Sequence, residues 1–199
     1  MGWNKISKIC IGIDQSYKNT GWSICKNNKI IKYGNISPQA SEINSDKRKY
    51  IINNIRQLIE ESLLEVKSDP NKIIIIVERI RLRSQGFLNV DYIKSTAGLI
   101  INIIDLAHEY NINVYSVDTR SWKSKIVGSS KGKKKQVLIT KGKNKGKYKT
   151  ITDNKIETLE YVKNNLGIDT KGDDDIADAI CISKYGFLPK SLRNLKLEK

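Results

Sequence analysis

The chain has 199 residues, of which 39% are hydrophobic, enough to fold one substantial domain and too many for a disordered chain. Its 36 Lys and Arg outnumber 21 Asp and Glu, and the net charge of +15 predicts a polyanionic partner, most simply a nucleic acid. The single histidine leaves little room for histidine chemistry, and no apolar run is long enough to span a bilayer.

The three cysteines, Cys10, Cys25 and Cys181, stand in apolar surroundings and lack the spacing of metal ligands. An odd number of such residues is typical of reduced, buried thiols rather than of a disulfide framework. The first residues lead directly into a strand, so no signal peptide is expected. Together these features predict a cytoplasmic protein.

The chain opens with three predicted strands. Residues 8–14 are almost continuously apolar and end on Asp14, as in a strand covered on both faces. Residues 20–26 and 29–36 follow, and the two asparagines between them favour a hairpin turn. An antiparallel meander is therefore expected.

Helices and strands alternate in the middle of the chain. A helix is predicted at about 46–66, and residues 72–78 (KIIIIVE) indicate a buried central strand that ends on Glu78. A long helix at about 90–110 carries an apolar stripe that is wide enough to be buried on two sides. We expect a second subunit to cover one of these sides. Residues 111–117 are the next predicted strand.

A basic segment interrupts this alternation at 128–150. Between Lys131 and Lys149 it holds nine lysines and no acid, which solubility alone does not explain. We expect a loop that an anionic ligand orders, although Leu138 and Ile139 within it favour a short strand.

Two helices end the domain, one closing near Gly167 and one at 174–185, and residues 189–199 are a basic tail. Three hairpin strands followed by alternating helix and strand predict an α/β fold. The expected sheet is mixed and five-stranded, with three antiparallel strands and then parallel ones, and helices flank it. No internal repeat is visible, so residues 1–188 are expected to form a single domain.

Four acids, Asp14, Glu78, Asp175 and Asp178, stand at the ends of these elements. If the first and fourth strands are parallel neighbours, the first two acids leave the sheet at the same edge. The last two are three residues apart and therefore share one helix face. An all-oxygen set suits Mg²⁺ or Mn²⁺ better than zinc. On a basic protein it predicts a two-ion centre for phosphodiester hydrolysis.

Each acid also has an ordinary explanation. Asp14 can cap the turn after its strand, and Glu78 can pair with Arg79 or Arg81. Aspartates at the start of a helix are favoured by its dipole. The metal-site interpretation therefore rests on the four acids occurring together, in this order, at these element ends.

Four segments resemble, in order, blocks of the RuvC-type Holliday-junction resolvases of the RNase H-like superfamily. They are IGIDQSYKNTGWSIC, IIIIVERI, SWKSKIVGSSKGKKKQV and DIADAICIS, and the resemblance extends over about residues 8–185. It implies an RNase H-like fold and a homodimeric, Mg²⁺-dependent endonuclease. Such an enzyme nicks two strands of a four-way DNA junction symmetrically.

Transferred position by position, the resemblance makes the four acids the ligands of two Mg²⁺ ions, which Mn²⁺ can replace, with Asp174 as a further candidate. It makes Lys123 and Lys134 catalytic lysines, and the helix at about 90–110 the dimerisation element. The basic residues expected to contact DNA are Arg79, Arg81, Arg83, Lys131, Lys133, Lys135, Lys141, Lys143, Lys145 and Lys147.

The chain departs from the family pattern at two places. Gln15-Ser16 stand where the family commonly has Pro-Gly, and Arg81 stands where it has an aromatic residue that wedges junction bases apart. Phe87 or Tyr92 are the candidate replacements for that aromatic residue.

The sequence therefore predicts a structure-selective DNA endonuclease that resolves four-way junctions. Three alternatives stay open: a flap or branched-DNA nuclease, a nuclease for RNA–DNA hybrids, and a junction-binding protein without catalysis. The phrase GIDxSxxxTG also resembles the phosphate loop of sugar-kinase and actin-like ATPases. Those proteins need two such domains, for which this chain is too short.

Overall fold

A computed structural model of the protein describes residues 9–41, 43–80, 90–129, 131–138, 140–141, 144–153 and 155–198. The strands are β1 (Ile9–Asp14), β2 (Thr20–Lys26), β3 (Lys29–Ile36), β4 (Ile73–Glu78), β5 (Asn113–Val117), β6 (Lys133–Leu138), β7 (Tyr148–Asp153) and β8 (Leu195–Glu198). The α-helices are α1 (Asn44–Glu65), α2 (Val90–Glu109), α3 (Thr119–Trp122), α4 (Ile156–Leu166) and α5 (Asp174–Tyr185). A π-helical turn, Lys123–Val127, continues α3.

The predicted mixed sheet flanked by helices is confirmed. The main sheet has the order β3-β2-β1-β4-β5-β8, in which β1 pairs antiparallel with β2 and parallel with β4. It has one strand more than predicted, because β8 lies in the segment expected to be a tail and pairs antiparallel with β5. The Ser116 hydroxyl donates to the Glu198 carboxylate at 2.5 Å and fixes that added strand.

The central strands are buried on both faces, which explains their unbroken apolar sequences. Ile9, Ile11 and Ile13 point to one face, where α1 and α2 cover them. Cys10 points to the opposite face and packs with residues of α4 and α5. The sheet therefore lies between two helical layers, and its strand ends open onto the edge where the acids lie.

Helix α5 packs directly against the backbones of β1 and β2. A Cβ atom at Gly12 would overlap the backbone of Ala179 and Ser183, and one at Gly21 would overlap the carbonyl group of Asp175. Buried hydroxyls of Ser23 and Ser183 share a hydrogen bond of 2.8 Å across the same contact. The two glycines thus allow the acidic start of α5 to approach the strand that carries Asp14.

The Lys-rich segment folds into a two-stranded hairpin, β6–β7, which is separate from the main sheet. We call residues 133–153 the lysine hairpin. Its first strand includes Leu138, whereas Ile139 lies outside the described residues. The backbone amide of Gly132, just before the hairpin, donates to the Glu157 carboxylate of α4 at 3.2 Å.

The three cysteines are free thiols, all buried. Burial raises the pKa of the Cys10 and Cys181 thiols well above the usual range and that of Cys25 to about 12. Within the described part of the chain, the helices are too short or too polar to cross a membrane.

Candidate active site

Asp14 and Glu78 lie at the same edge of the sheet, as the sequence predicted. Strands β1 and β4 run parallel in a register that pairs Ile13 with Val77, so the next residue of each strand is an acid. The amide side chain of Gln15 joins the two strand ends. Its Nε2 donates to the Glu78 carbonyl at 2.6 Å, and its Oε1 accepts from the Glu78 amide at 3.0 Å.

The Glu78 carboxylate is held by two donors that sequence reasoning did not assign to the site. Thr119 Oγ1 donates to Oε1 at 2.6 Å, and Trp122 Nε1 donates to Oε2 at 3.1 Å. Both donors belong to α3, whose first turn is capped by Asp118 accepting from the amide of Arg120 at 2.9 Å. A capped helical turn after β5 therefore orients a carboxylate at the end of β4.

Asp173 and Asp175 at the start of α5 have different tasks. Asp173 is the N-cap, and its Oδ1 accepts from the amide of Ile176 at 3.0 Å. Asp175 accepts a hydrogen bond of 2.6 Å from Asn19 Nδ2 in the turn that follows β1. Asn19 in turn accepts from Ser37 Oγ at 2.5 Å, so the loops around β2 and β3 position the Asp175 carboxylate.

Asp178 lies one helical turn beyond the cap, with only 16% of its side chain exposed. Its Oδ2 is 3.6 Å from Lys123 Nζ, which is itself 9% exposed and 5.0 Å from the centre of the Trp122 ring. Among the described residues Oδ1 is buried without a well-formed hydrogen bond. The Thr158 hydroxyl, buried and equally unsatisfied, is nevertheless near enough to lower the pKa of the carboxyl.

These carboxyls lie close enough to affect one another's pKa. Burial raises the pKa of Asp14 well above its usual range, and Glu78, Asp178 and Asp175 raise it further. Burial raises the pKa of Asp178 to about 7, with Lys123 opposing and Glu78 reinforcing the rise. Burial also raises the pKa of Asp175, against the Asn19 hydrogen bond. We call Asp14, Glu78, Asp175 and Asp178 the acidic cluster.

The acidic cluster fits a hard cation, although no three acidic, His or Cys side chains of the described ranges already stand in metal-ligating positions. Its donors are oxygens alone, the chemistry that Mg²⁺ and Mn²⁺ prefer. Burial, and after it repulsion between the members of the cluster, raises the pKa of Asp14, and one oxygen of Asp178 lacks a well-formed hydrogen bond. A cation would relieve both costs, and the site is built on a rigid sheet and a docked helix.

Asp174, the further candidate ligand, is engaged elsewhere. Its Oδ2 forms an ion pair with Lys155 Nζ at the start of α4, which raises the pKa of Lys155. The pair joins the helix that follows the lysine hairpin to the helix that carries the acidic cluster.

The predicted catalytic lysines have different surroundings. Lys123 lies beside the acidic cluster, with its Nζ 3.6 Å from Asp178 Oδ2. Lys134 lies on the exposed lysine hairpin, where its backbone pairs with Thr152, and in the described part of the chain no ion pair joins it to the acids. The structure thus brings together five of the six predicted catalytic residues.

The predicted DNA-contacting residues are spread between the sheet edge and the hairpin. Arg79 is half-buried, and its Nε donates to Ser116 Oγ at 3.3 Å. Lys133 and Lys135 belong to β6. Exposed side chains are those of Lys131, Lys141, Lys145 and Lys147. Outside the described residues lie Arg81, Arg83, Lys143 and Phe87, whereas Tyr92 belongs to the first turn of α2.

Sequence reasoning missed Gln15, Asn19, Thr119 and Trp122. Asn19, Thr119 and Trp122 donate hydrogen bonds to carboxylates, and Gln15 pairs with the Glu78 backbone. Each of these hydrogen bonds joins segments that are distant in sequence. Only Asp118-Thr119 carries a local signal, and that signal is typical of a helix start rather than of a partner of Glu78.

No protein-family model matches the sequence, and no curated protein matches it. Solved structures do. The structure described as Thermus thermophilus RuvC in complex with Holliday junction substrate matches with a TM-score of 0.59 and 16% identity, over 90% of this chain and 93% of that chain. A second structure, described as Thermus thermophilus RuvC, matches with a TM-score of 0.55 and 15% identity, over 88% of this chain and 91% of that chain. The yeast mitochondrial Holliday junction resolvase Ydc2 gives 0.48 and 17%, over 90% and 77%.

The two RuvC structures confirm, at the level of the fold, the resemblance drawn from the sequence. The chain has the RNase H-like fold of RuvC along almost its whole length.

Proposed function

We propose that the protein is a Mg²⁺-dependent endonuclease that resolves four-way DNA junctions as a homodimer. The observation that carries the proposal is geometric: β1 and β4 end side by side on Asp14 and Glu78, and Gly12 and Gly21 let the acidic start of α5 dock against them. Burial, reinforced by the neighbouring carboxyls, raises the pKa of Asp14, so this arrangement is unfavourable without a cation. The shared fold with RuvC, one structure of which holds a Holliday junction, and the net charge of +15 support DNA as the substrate.

In this proposal Asp14, Glu78, Asp175 and Asp178 would hold two divalent ions, which would supply the activation of water and the charge stabilisation that phosphodiester hydrolysis needs. Glu78 is kept in position by Thr119 and Trp122, and Asp175 by Asn19, so little reorganisation is needed when DNA binds. Lys123, beside Asp178 and largely shielded from solvent, adds positive charge where the phosphate becomes more negative.

A homodimer would set two acidic clusters against two strands of one junction, as paired nicking requires. Helix α2 supports this arrangement because its inner side chains, such as Leu99 and Ile103, are buried in the subunit's own core. On the same helix Ile101 is 56% exposed and Val90 52% exposed, which leaves apolar surface for a second copy.

The test is a cleavage panel with a four-way junction, a flap, a fork, a linear duplex and an RNA–DNA hybrid, in Mg²⁺ or Mn²⁺. We expect two strands of the junction to be nicked at symmetric positions. Asp178→Asn should lower its cleavage rate by about 10³-fold or more, because a ligand that holds developing charge is lost. Junction binding should survive, since the amide keeps the shape of the side chain.

The matched control is Asp46→Asn, which makes the same change at an exposed carboxylate in the first turn of α1 and should cleave normally. Normal cleavage by Asp178→Asn would contradict the proposed site. Equal cleavage of flap or hybrid would shift the assignment to a broader nuclease, and binding without metal-dependent nicking would leave a junction-binding protein.

A further inference from the structure

The lysine hairpin has one face that is exposed at every position whose side chain is described. Its register pairs Gln136 with Thr150 and Leu138 with Tyr148, and cross-strand partners lie on the same face. Leu138 is 46% exposed and Tyr148 is 66% exposed, so an aromatic ring and an aliphatic side chain stand together in solvent. Lys134 lies on that face too, two residues before Gln136.

An isolated two-stranded hairpin is marginally stable in water, and an uncovered Leu–Tyr pair adds to that cost. The charge around the pair indicates what covers it. The sequence from Lys131 to Lys149 contains nine lysines and no acid, and exposed Lys145 and Lys147 lie just before Tyr148. This surface repels other basic surfaces, including a second copy of this chain, and attracts a polyanion.

Aromatic side chains set among cations are the usual platform for unpaired nucleobases, because every base offers a face for stacking while the cations neutralise the backbone. The base of the hairpin is held near the acidic cluster: Asp153, its last residue, stands two residues before Lys155, which pairs with Asp174. Strands of this length place Tyr148 about 17 Å from that base.

We propose that Tyr148, supported by Leu138, stacks against an unpaired base at the branch point of the DNA. This inference rests on the proposed function for its substrate, and it assigns to the hairpin the selection of branched over continuous DNA. The lysines supply affinity for any DNA, and the Leu138–Tyr148 pair supplies the preference for a branch point.

The experiment compares the affinity of full-length protein for a four-way junction and for a linear duplex, in Ca²⁺ so that cleavage is suppressed. Tyr148→Thr keeps a good strand-forming residue but removes the ring. It should weaken junction binding by about tenfold, the usual worth of one base stacked on an aromatic side chain. Duplex affinity and its salt dependence should not change, because no lysine is removed. Tyr148→Phe should restore junction affinity.

Tyr33→Thr is the matched control, since it removes an exposed tyrosine (42%) from β3, a strand outside the hairpin. A junction carrying 5-iodouracil at the branch point should also cross-link to wild type at Tyr148, and this product should disappear in Tyr148→Thr alone. Unchanged junction affinity of Tyr148→Thr, with cross-links elsewhere, would overturn the inference. So would a change in sedimentation from dimer to monomer in that variant, which would show that a second copy covers this face.

The outcomes separate this inference from the proposed function. Preferential junction binding that depends on Tyr148, without metal-dependent cleavage, would contradict the nuclease and leave the stacking role intact. Normal junction cleavage by wild type, with Tyr148→Thr indistinguishable from it in binding, would contradict the stacking role alone.

Discussion

The acidic cluster and the lysine hairpin differ in what surrounds them. The cluster lies on the most buried elements of the chain, where β1 and β4 end and α5 docks on Gly12 and Gly21. Hydrogen bonds orient two of its carboxylates, and Lys123 approaches a third. The hairpin belongs to a separate two-stranded sheet, and most of its described side chains are exposed.

This difference separates two tasks. A reaction on a phosphodiester depends on the exact placement of charge, so its groups need a rigid frame and tolerate little change. Attraction to a DNA backbone depends mainly on how many cations are near it, so its groups can remain adaptable. Substitutions in the acidic cluster should therefore change turnover, and substitutions in the hairpin should change affinity.

Among substitutions that distinguish the acidic cluster from the lysine hairpin, Lys123→Met should have the largest effect. Methionine keeps the length and packing of the side chain but removes the ammonium 3.6 Å from Asp178. A preorganised charge of this kind is typically worth about 10²–10³ in rate. Single-turnover cleavage of a saturating junction should slow by that factor, while the dissociation constant measured in Ca²⁺ should change little.

Lys125→Met is the control, because Lys125 lies on the same π-helical turn with its side chain exposed. It should cleave at the wild-type rate. If Lys123→Met lost junction affinity instead of turnover, Lys123 would belong with the hairpin lysines rather than with the acidic cluster.

A smaller effect concerns stability in the absence of metal. Asp178 has a pKa of about 7 in the folded chain against an ordinary value of 3.8, so its ionisation opposes folding. As the pH falls from about 8 to about 5.5, the folded chain takes up a proton that the unfolded chain does not. The free energy of unfolding should therefore rise by about 2 kcal/mol. Urea unfolding in EDTA at the two pH values measures it.

Asp178→Asn should reduce this pH dependence, and the remainder should reflect Asp14, whose pKa burial also raises. Addition of Mg²⁺ at pH 8 should stabilise the wild type more than the variant. Equal pH dependence in the two proteins would contradict the burial and charge that we assign to Asp178.

The sequence predicted those parts of the fold and site that follow from local pattern. Unbroken apolar runs marked β1 and β4 and therefore placed Asp14 and Glu78 at strand ends. Asn27 and Asn28 predicted a tight hairpin, and both adopt positive φ, 48° and 64°. The spacing of Asp175 and Asp178 predicted one helix face. In each case a few neighbouring residues determine the structure.

The parts that were missed depend on residues far apart in the chain. Strand β8 has four residues with little local preference and forms because the edge of β5 is available. Gln15 interrupts a family pattern, yet its amide pairs with the Glu78 backbone 63 residues away. In the lysine hairpin, the high lysine content favoured a loop, because like charges repel one another. The two strands around Val137 and Tyr148 were therefore not predicted as a pair. Features of this kind can be predicted only when it is known which distant segments lie side by side in the folded chain.

The smallest expected effect concerns the contribution of the hairpin lysines to DNA affinity. Replacing Lys141, Lys145 and Lys147 together by Gln removes three exposed cations and leaves Tyr148 in place. If all three contact phosphates, the slope of log affinity against log salt should become shallower by about 2.7, at most, because fewer counterions are released on binding. Affinity for junction and duplex should fall by a similar factor, about tenfold at moderate salt, while turnover of saturating junction stays unchanged.

The matched control replaces three exposed lysines elsewhere, Lys29, Lys49 and Lys67, and lowers the net charge by the same amount. A general field effect would weaken binding equally in both triple variants, whereas direct contact requires a clearly larger change for the hairpin. A loss of turnover at saturating DNA in the hairpin variant would contradict the separation itself. It would mean that the hairpin, through its base at Lys155 and Asp174, helps to place the phosphate at the acidic cluster.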